Sequence, residues 1–364
     1  MHTDNLSERT KTVLRKHRCN LPVLPDPQRL ETIVALKAAI PARAALAGFA
    51  QALKQSSMTS AALQTFCLIE SVGALQLGGA AIELRAALQS PDSGQMPELY
   101  IHNETRIAAH KRLTTEPVSC ALALELASTL GSTPVSVRRG DVSEELSSSV
   151  CSSFSKWNPP TGSERIQVLL DNWQGFVQKN SGDLDPLIMV AAAQGQWNAL
   201  QPFTHENIAN GQLLASLLMC EEDLLPAPAL PISLYFSRRS ERHWDFMYQA
   251  AAQGDHAAWV QFFMTAVTEA SIDATEQLVQ WERLKQTLAE SMRSNLPKEP
   301  SLALIDVCNR PSFGLAELSY VGLSRRQTAS AWMQRLISQG VLTELRVGKE
   351  KRYINNAVLN LLTR

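Results

Sequence analysis

Apolar side chains recur at three- and four-residue intervals along most of this chain, which is the spacing of one face of an α-helix. Between residues 273 and 289 the apolar stripe consists of Ala274, Leu278, Trp281, Leu284 and Leu288. We predict a helix here that ends near Ser294, followed by a linker, NLPKEPS, in which Pro297 and Pro300 do not continue a helix. Everything before this linker has helical spacing, so the sequence predicts a mainly α protein.

Length and composition favour a cytoplasmic protein of two or three domains. The chain has 364 residues, 45% of them hydrophobic, and a formal charge of −1, so it has no general attraction for polyanions. It contains no run of 18 apolar residues, and residues 1–20 lack a signal-peptide core, so no membrane partner is expected. The six cysteines and seven histidines have no metal-ligand spacing. No metal site is predicted, and His243 is expected at the surface or hydrogen-bonded.

The segment after the linker differs in charge from the rest. Residues 300–364 carry nine Lys and Arg against four acids, a charge of +5, so the remainder of the chain carries −6. We predict helices over residues 302–308, from Leu315, and from the N-cap Ser324 to Gly340. Two short strands follow around residues 347–349. This order resembles a winged helix-turn-helix with a β-hairpin wing.

The predicted recognition helix presents a polar face. Its apolar side, Ala329, Met333 and Leu336, would point inward. The residues expected to contact DNA are Arg325, Arg326, Gln327, Ser330 and Gln334 on the helix and Lys349, Lys351 and Arg352 on the wing. Such a set suits phosphate contacts plus a few base contacts. DNA is therefore a candidate partner of residues 300–364, and a protein-docking or dimerising module with a solvated basic face is the alternative.

One internal segment carries a motif. Residues 194–219, QGQWNALQPFTHENIANGQLLASLLM, resemble the signature of the Fic (Fido) family, which transfers nucleotide monophosphates, usually AMP from ATP, onto protein hydroxyls. The family pattern is roughly F-E-x-I-H-P-F-x-D/E-G-N-G-R-x-x-R, followed by an apolar helix. The chain aligns with this pattern without a gap. The resemblance implies a Fic-type helical core with a central packed helix over residues 213–219.

The two positions that carry the family's chemistry are changed. Gln201 stands where the family has a histidine general base, and an amide has no basic site near pH 7. Loss of a positioned base typically costs about 10²–10⁴ in rate. His205 stands where the family has an acidic magnesium ligand, although Mg²⁺ prefers oxygen ligands. Gln201 and His205 are therefore degenerate catalytic positions.

The phosphate-binding positions of the motif are changed as well. Glu206 and Ile208 replace glycines, and Glu206 adds a repulsion of about 4 kcal/mol for a phosphate about 4 Å away at an effective dielectric of about 20. Ala209 and Gln212 replace the arginines that pair with phosphates. The family-like residues that remain are Pro202, Phe203, Asn207 and Gly211. The candidate nucleotide-binding positions are Asn207, Gly211 and Gln212.

Residues 21–79 resemble the helical region that precedes many Fic domains. Glu70, Ser71 and Val72 open a segment that is similar to the family's E-A-V-x-S-S-x-I-E-G. In autoinhibited members the last glutamate of that segment pairs with the second motif arginine. Gly78 takes the place of this glutamate here, and Gln212 takes the place of the arginine. The paired loss favours a discarded active site over two independent changes.

Other segments follow the family order. Residues 158–160, NPP, and the helix after them resemble the family's proline segment, and residues 228–267 resemble the region after the motif. The substrate-positioning flap is expected near residues 135–154. Arg138 or Arg139 is the candidate flap arginine, but a mobile, solvated loop is the favoured interpretation.

The sequence thus predicts four segments: a polar tail at residues 1–20, an N-terminal helical region at 21–99, a Fic-type core at 100–296 and a winged helix at 297–364. The functional hypothesis is a pseudoenzyme without AMP-transferase activity that regulates through DNA, or through a protein partner or homodimer. The alternative is a residual or altered nucleotidyl or phosphoryl transferase that uses His205 or another base. ATP and magnesium serve active family members, and no cofactor is expected here.

Overall fold

A computed structural model describes residues 21–90, 96–140, 157–179, 184–321, 323, 325–347 and 350–364. Up to the linker its helices are α1 (Pro27–Leu30), α2 (Ile33–Gln55), α3 (Thr59–Leu77), α4 (Leu84–Gln89), α5 (Pro97–Arg112), α6 (Cys120–Leu130), α7 (Ser163–Lys179), α8 (Pro186–Leu200), α9 (Asn207–Glu221), α10 (Ile232–Ser237), α11 (Ser240–Gln253) and α12 (His256–Asn295). After it come α13 (Leu302–Cys308), β1 (Ser312–Gly314), α14 (Leu315–Tyr320), α15 (Arg326–Ser338), β2 (Thr343–Val347), β3 (Glu350–Ile354) and α16 (Asn356–Leu362). The mainly α fold class is confirmed.

Polar side chains cap many of the helices. The capping residues that accept a backbone N–H in the first turn are Thr32, Ser119, Asp185, Asp255, Ser301 and Asn355. Such caps satisfy N–H groups that have no partner inside the helix. Asp185 also pairs with Arg43 at 2.9 Å, which ties the start of α8 to α2. The starts of these six helices are therefore specified locally by the sequence.

The helices α8 and α9 form the centre of the molecule. Every residue from Leu187 to Leu200 and from Asn207 to Met219 is buried. Three indole N–H groups bond to carbonyls of α8: Trp173 to Ala193, Trp259 to Ala191 and Trp157 to Ala199. The predicted central packed helix over residues 213–219 is confirmed, since it is part of α9.

The helix α2 packs along the 40-residue helix α12. Its inward stripe consists of Ala35, Ala39, Ala42, Leu46, Phe49 and Leu53. Among the described residues, α2 is the one helix long and apolar enough to cross a membrane by length and composition. Its contact with α12 accounts for the apolar inner stripe, whereas Ile33 and Ile40 lie exposed on the other side. Residues 273–289, predicted as a separate helix, are instead part of α12, whose end at Asn295 agrees with the prediction.

The C-terminal elements form a winged helix. Its sheet has the order β1-β3-β2, with both strand pairs antiparallel, and β2 and β3 are the predicted wing. Ala329, Met333 and Leu336 are buried as predicted. The sequence did not predict β1. Helix α15 begins after Arg325, and the proposed N-cap Ser324 lies outside the described residues.

Two hydrophobic clusters divide the interior. The larger contains the helices before the linker, and the smaller contains the winged helix together with Leu288, Ala289 and Met292 from the end of α12. The last helix, α16, returns to the larger cluster through Val358, Leu359, Leu361 and Leu362. The winged helix is therefore joined to the helical core by the helices at both of its ends.

Candidate functional site

The loop between α8 and α9 holds Gln201 and His205, the two residues predicted from the sequence to be degenerate catalytic positions. Gln201 ends α8 in a left-handed conformation (φ 44°, ψ 64°), and Glu206 precedes α9 in another (φ 62°, ψ 16°). Residues other than glycine adopt such conformations rarely. The side chain of Gln201 is buried, whereas that of His205 is half-buried. A turn with two such residues needs contacts that hold it in place.

Asn207 closes the loop. Its Oδ1 accepts the backbone N–H of Phe203 at 2.8 Å, and its Nδ2 donates to the carbonyl of Phe203 at 2.8 Å. One amide side chain thus satisfies both polar groups of a buried residue. The structure gives Asn207 a role in holding the loop.

Arg138 fixes the loop from the opposite side. Its guanidinium donates to the carbonyls of Gln201 at 2.8 Å, Leu200 at 3.0 Å and Pro160 at 2.8 Å. Its backbone N–H donates to the carbonyl of Pro202 at 2.9 Å, next to a bridge between Val137 and Phe203. The expectation of a mobile, solvated loop is wrong for Arg138, because its long side chain finds buried carbonyl acceptors. Arg139 is exposed, and residues 141–156 of the expected flap lie outside the described residues.

Gly211 lies where α9 comes closest to α8. A Cβ at this position would lie 2.3 Å from Oδ1 of Asn198 and 2.9 Å from Cδ1 of Trp197. Both distances are shorter than a real side chain tolerates, so only glycine permits this approach. Helix packing is therefore sufficient to explain Gly211.

Gln212 belongs to a buried network of polar side chains. Its Oε1 accepts from Nε2 of Gln194 at 2.7 Å and from Oγ of Ser233 at 3.1 Å. Among the described atoms, Nε2 of Gln212 and Oε1 of Gln194 have no partner. Gln212, which the resemblance aligns with the second motif arginine, is thus a neutral amide that faces other protein groups.

Glu70 is the acidic member of the same network. One carboxylate oxygen accepts the backbone N–H of Ser233 at 2.8 Å, and the other lies 4.0 Å from Nη1 of Arg106. Arg106 also donates to the hydroxyls of Ser71 at 3.3 Å and Ser216 at 3.0 Å. Complete burial raises the pKa of Glu70 to about 7, although Arg106 and the hydrogen bonds with Ser233 oppose that rise. This carboxyl group therefore titrates near neutral pH.

His205 contacts the segment after α6. Its Nε2 lies 2.8 Å from the hydroxyl of Thr133, and a Cβ on Gly131 would lie 2.9 Å from the imidazole carbon Cε1. The neighbouring Glu206 carboxylate lies 3.9 Å from Nε2 of the buried His102.

Among the described residues no group of three or more His, Cys, Asp and Glu side chains is placed to hold a metal ion.

Gly78 ends α3 at the position of the inhibitory glutamate. Its backbone N–H donates to the carbonyl of Ala74 at 3.1 Å, and Gly79 follows with φ 99°. This is the arrangement of a glycine-rich helix C-terminus. Gly78 has no side chain that could contact Gln212.

The predicted DNA-binding residues differ in exposure. Arg325, Gln327 and Gln334 are exposed and Ser330 is half-buried, while the side chain of Arg326 and all of Lys349 lie outside the described set. Lys351 pairs with Glu344 at 2.6 Å. The remaining member of the set, Arg352, is buried.

The expectation that Arg352 belongs to a DNA-facing wing is wrong. It donates to the hydroxyl of Ser312 at 3.2 Å and lies 3.7 Å from Glu317. Two adjacent residues of a strand point to opposite faces of the sheet, so Lys351 and Arg352 cannot both face outward. Strand alternation, present in the sequence, was the signal that this prediction overlooked.

Sequence reasoning also missed Arg106, Ser216 and Ser233. Their roles arise from contacts between α3, α5, α9 and α10, which are distant in the chain. A usable signal was Glu70 itself, a carboxylate in the apolar run FCLIESVGAL, because a buried acid requires donors nearby.

Comparisons with known proteins agree with this architecture. The family model described as the C-terminal domain of SoFic-like protein adenylyltransferases matches residues 284–358. The fold is similar to a Fic family protein from Desulfovibrio desulfuricans, with 14% identity, a TM-score of 0.58, and coverage of 89% of this chain and 96% of that one. It is also similar to a Fic domain containing signaling protein from Bacteroides thetaiotaomicron, with 13% identity, a TM-score of 0.51, and coverage of 66% and 98%. The chain thus has the fold of these Fic family proteins, and its residues 284–358 match the C-terminal domain of SoFic-like protein adenylyltransferases.

Proposed function

We propose that this protein is a regulatory Fic-fold pseudoenzyme without AMP-transferase activity, and that its winged helix binds DNA. The observation that carries the first part is the side chain of Gln212. It hydrogen-bonds to Gln194 and Ser233 inside the core, in the position where active members of the family have an arginine for phosphate.

The residues around the loop do not fit ATP and magnesium. The positions of the two arginines hold Ala209 and Gln212, so no charge-assisted pair with a phosphate forms there. Glu206 retains a partly exposed carboxylate, which repels phosphate. His205 offers an imidazole, already within 2.8 Å of Thr133, in place of a carboxylate. The matched family is described as adenylyltransferases. The residues at positions 205, 206, 209 and 212 argue against that reaction here.

Labelled ATP tests this half of the proposal. Incubation of the full chain with radiolabelled ATP and Mg²⁺ is expected to give no covalent label on the protein or on added target proteins. Calorimetric titration with ATP and Mg²⁺ is expected to give no saturable heat. Label that disappears in His205→Ala, and persists in the control His110→Ala, would establish the altered transferase that uses His205.

The second half rests on the outward face of α15. Gln327 and Gln334 are exposed there, Arg325 is exposed at the N-cap, and residues 300–364 carry +5. An exposed polar face on the second helix of a helix-turn-helix is the surface that enters a major groove. Because Arg352 is buried and Lys351 is paired with Glu344, the proposed phosphate contacts depend mainly on α15 and on Arg346, which is exposed on β2.

Salt dependence tests DNA binding. The affinity of the full chain for a random duplex, measured by fluorescence anisotropy, is expected to fall with salt by a logarithmic slope of about −0.9 per phosphate neutralised. Arg325→Ala is expected to reduce the slope by about one unit. Lys54→Ala, which removes an exposed charge from α2, is the matched control and should leave the slope unchanged. Absence of binding by the folded chain at low salt would favour protein docking or dimerisation.

A further inference from the structure

A cavity of about 230 Å³ lies between the helical core and the winged helix. One wall comes from α3 and α5, and the other comes from Arg310, Pro311 and residues of β1, α14 and β3. None of residues 201–212 lines it. It is therefore separate from the degenerate motif.

Three polar atoms in the lining residues lack partners. Nε of Arg310, Nε of Arg352 and Oδ1 of Asn103 are buried, and none has a hydrogen-bond partner among the described atoms. Buried polar groups in native proteins are nearly always hydrogen-bonded, so three exceptions around one cavity need an explanation. Two of the three atoms are arginine N–H donors, which require acceptor oxygens. The amide of Asn103 can present either its O or its NH₂, since these ends are nearly equal in shape.

The charges around the cavity leave one cation without a counter-ion. Arg352 is balanced by Glu317 at 3.7 Å, and the second oxygen of Glu317 accepts the backbone N–H of Gly314 at 3.0 Å. Among the described residues no carboxylate lies within ion-pair distance of Arg310. Glu104 also lines the cavity, but its side chain is exposed and its charge is screened by water. The cavity thus favours a ligand with one negative charge.

Part of the remaining wall is apolar, and Gln64, Thr65 and Ser312 add polar groups to it. Leu68, Leu88 and Ile107 line the cavity from the side of the helical core. A volume of 230 Å³ corresponds to about seven or eight waters at ~30 Å³ each. This is room for a ligand of about eight non-hydrogen atoms.

We propose that the cavity binds a small organic carboxylate with a short apolar body, with its carboxylate on Arg310 and Arg352 and its hydrocarbon part on the leucine side. Arginine suits this role because its planar donors match the two carboxylate oxygens. Because the two walls belong to different parts of the chain, such a ligand would bridge the helical core and the winged helix. It would then stabilise the folded protein by an amount that rises with the logarithm of its concentration once that concentration exceeds the Kd.

Calorimetric titration of the full chain with 4-methylpentanoate, a branched acid of suitable size, tests the proposal. We expect saturable binding with a Kd of about 1 mM or lower, together with a rise in the thermal midpoint. The uncharged 4-methylpentanamide is expected to bind at least about tenfold more weakly, because charge-assisted hydrogen bonds are roughly twice as strong as neutral ones.

Variants separate the site from non-specific binding. Arg310→Met should weaken the acid at least about tenfold, and Asn103→Asp should weaken it through like-charge repulsion. Arg310→Lys should restore part of the affinity because it keeps the charge. Arg293→Met, which removes an arginine paired with Glu299 elsewhere, should leave binding unchanged. No saturable binding to the wild type, equal binding of acid and amide, or equal binding by Arg310→Met would each overturn the proposal. None of these measurements involves ATP or DNA, so their outcome is independent of the proposed function.

Discussion

At the scale of single residues, Glu70 shows how a carboxyl group is accommodated in the core beside Gln212. The carboxyl group is fully buried, receives donors from Ser233, and has Arg106 at 4.0 Å. An ion pair in such surroundings gains less from attraction than the two charges lose in hydration unless further hydrogen bonds complete it. The hydroxyls of Ser71, Ser216 and Ser233 supply these bonds.

The titration of Glu70 leads to a prediction about stability. Its pKa is 4.5 in an unfolded chain and about 7 in the folded protein, so the folded state binds more protons between these values. The associated stability is present below pH 4.5 and is lost as the pH rises through about 7, a total of about 3 kcal/mol. Urea unfolding of Glu70→Gln should therefore show a weaker decline between pH 4.5 and 7 than the wild type. Glu116→Gln, at the surface, is the control, and an unchanged pH slope in Glu70→Gln would contradict the assignment.

His243 lies in an aromatic cage that gives it no hydrogen bond. The rings of Phe236, Trp244 and Trp259 surround it at centroid distances of 4.6, 4.7 and 5.3 Å, and neither ring nitrogen has a partner among the described atoms. The expectation of a surface or hydrogen-bonded histidine is wrong, because nothing in the local sequence reveals this cage. Burial lowers the pKa of His243 to about 3.

We expect His243→Phe to resist acid better than the wild type. The unfolded chain protonates His243 near pH 6.5 and the folded chain only near 3, so wild-type stability falls as the pH decreases through this window. The total loss of unfolding free energy across this window is about 4–5 kcal/mol, and the phenylalanine variant does not have it. Near pH 7 the variant should be within about 1 kcal/mol of the wild type, because a ring without polar atoms replaces one of similar shape. Thermal unfolding from pH 7 to 4 measures both, and parallel declines of the two proteins would disprove the account.

At the scale of elements, the contact of α8 with α9 depends on Gly211. Gly211→Ala should destabilise the protein by about 1–3 kcal/mol, because the new Cβ would overlap Asn198 and Trp197 and push the two helices apart. Gly48→Ala is the matched control, since Gly48 lies in α2 and a methyl group added there would meet nothing within 4 Å. That control should stabilise α2 by about 0.5–1 kcal/mol. Urea midpoints of both variants test this, and equal effects would show that α8 and α9 are not in such close contact.

Sequence patterns predicted helices and strands more successfully than they predicted which groups an individual side chain contacts. The apolar stripe of residues 274–288 is a local signal, and the helix that it predicts exists, as do the helices predicted over residues 302–308 and from Leu315. The orientation of Arg352 depends on β3 pairing with β1, which was not predicted. Arg138 reaches carbonyls that are distant in sequence, so its clamp follows only from the folded arrangement. Burial and long-range contacts determine the orientation and the hydrogen-bond partners of such side chains. Helical spacing does not contain that information.

At the scale of the whole molecule, the helix α16 holds the winged helix against the helical core. Leu359 is fully buried in the larger hydrophobic cluster, and Arg85 of α4 donates to the exposed neighbour Asn360 at 2.9 Å. Leu359→Ala should cost about 2–5 kcal/mol, and Asn360→Ala should change stability by less than about 0.5 kcal/mol. Hydrogen exchange is the measurement: Leu359→Ala should speed exchange in α4 as well as in α16. Faster exchange confined to α16 would show that the two parts unfold independently.

The helix α12 sets an angle as well as a distance between the two hydrophobic clusters. Its 40 residues span about 60 Å, with Trp281 in the larger cluster and Met292 in the smaller one. One residue inserted between them would turn the winged helix by roughly 100° and move it by about 1.5 Å. α16 could not then keep its place on the core. Any partner bound by the winged helix is therefore held in one fixed orientation about the axis of α12 relative to the helical core. A change in the register of α12 would alter which side of that partner the core faces.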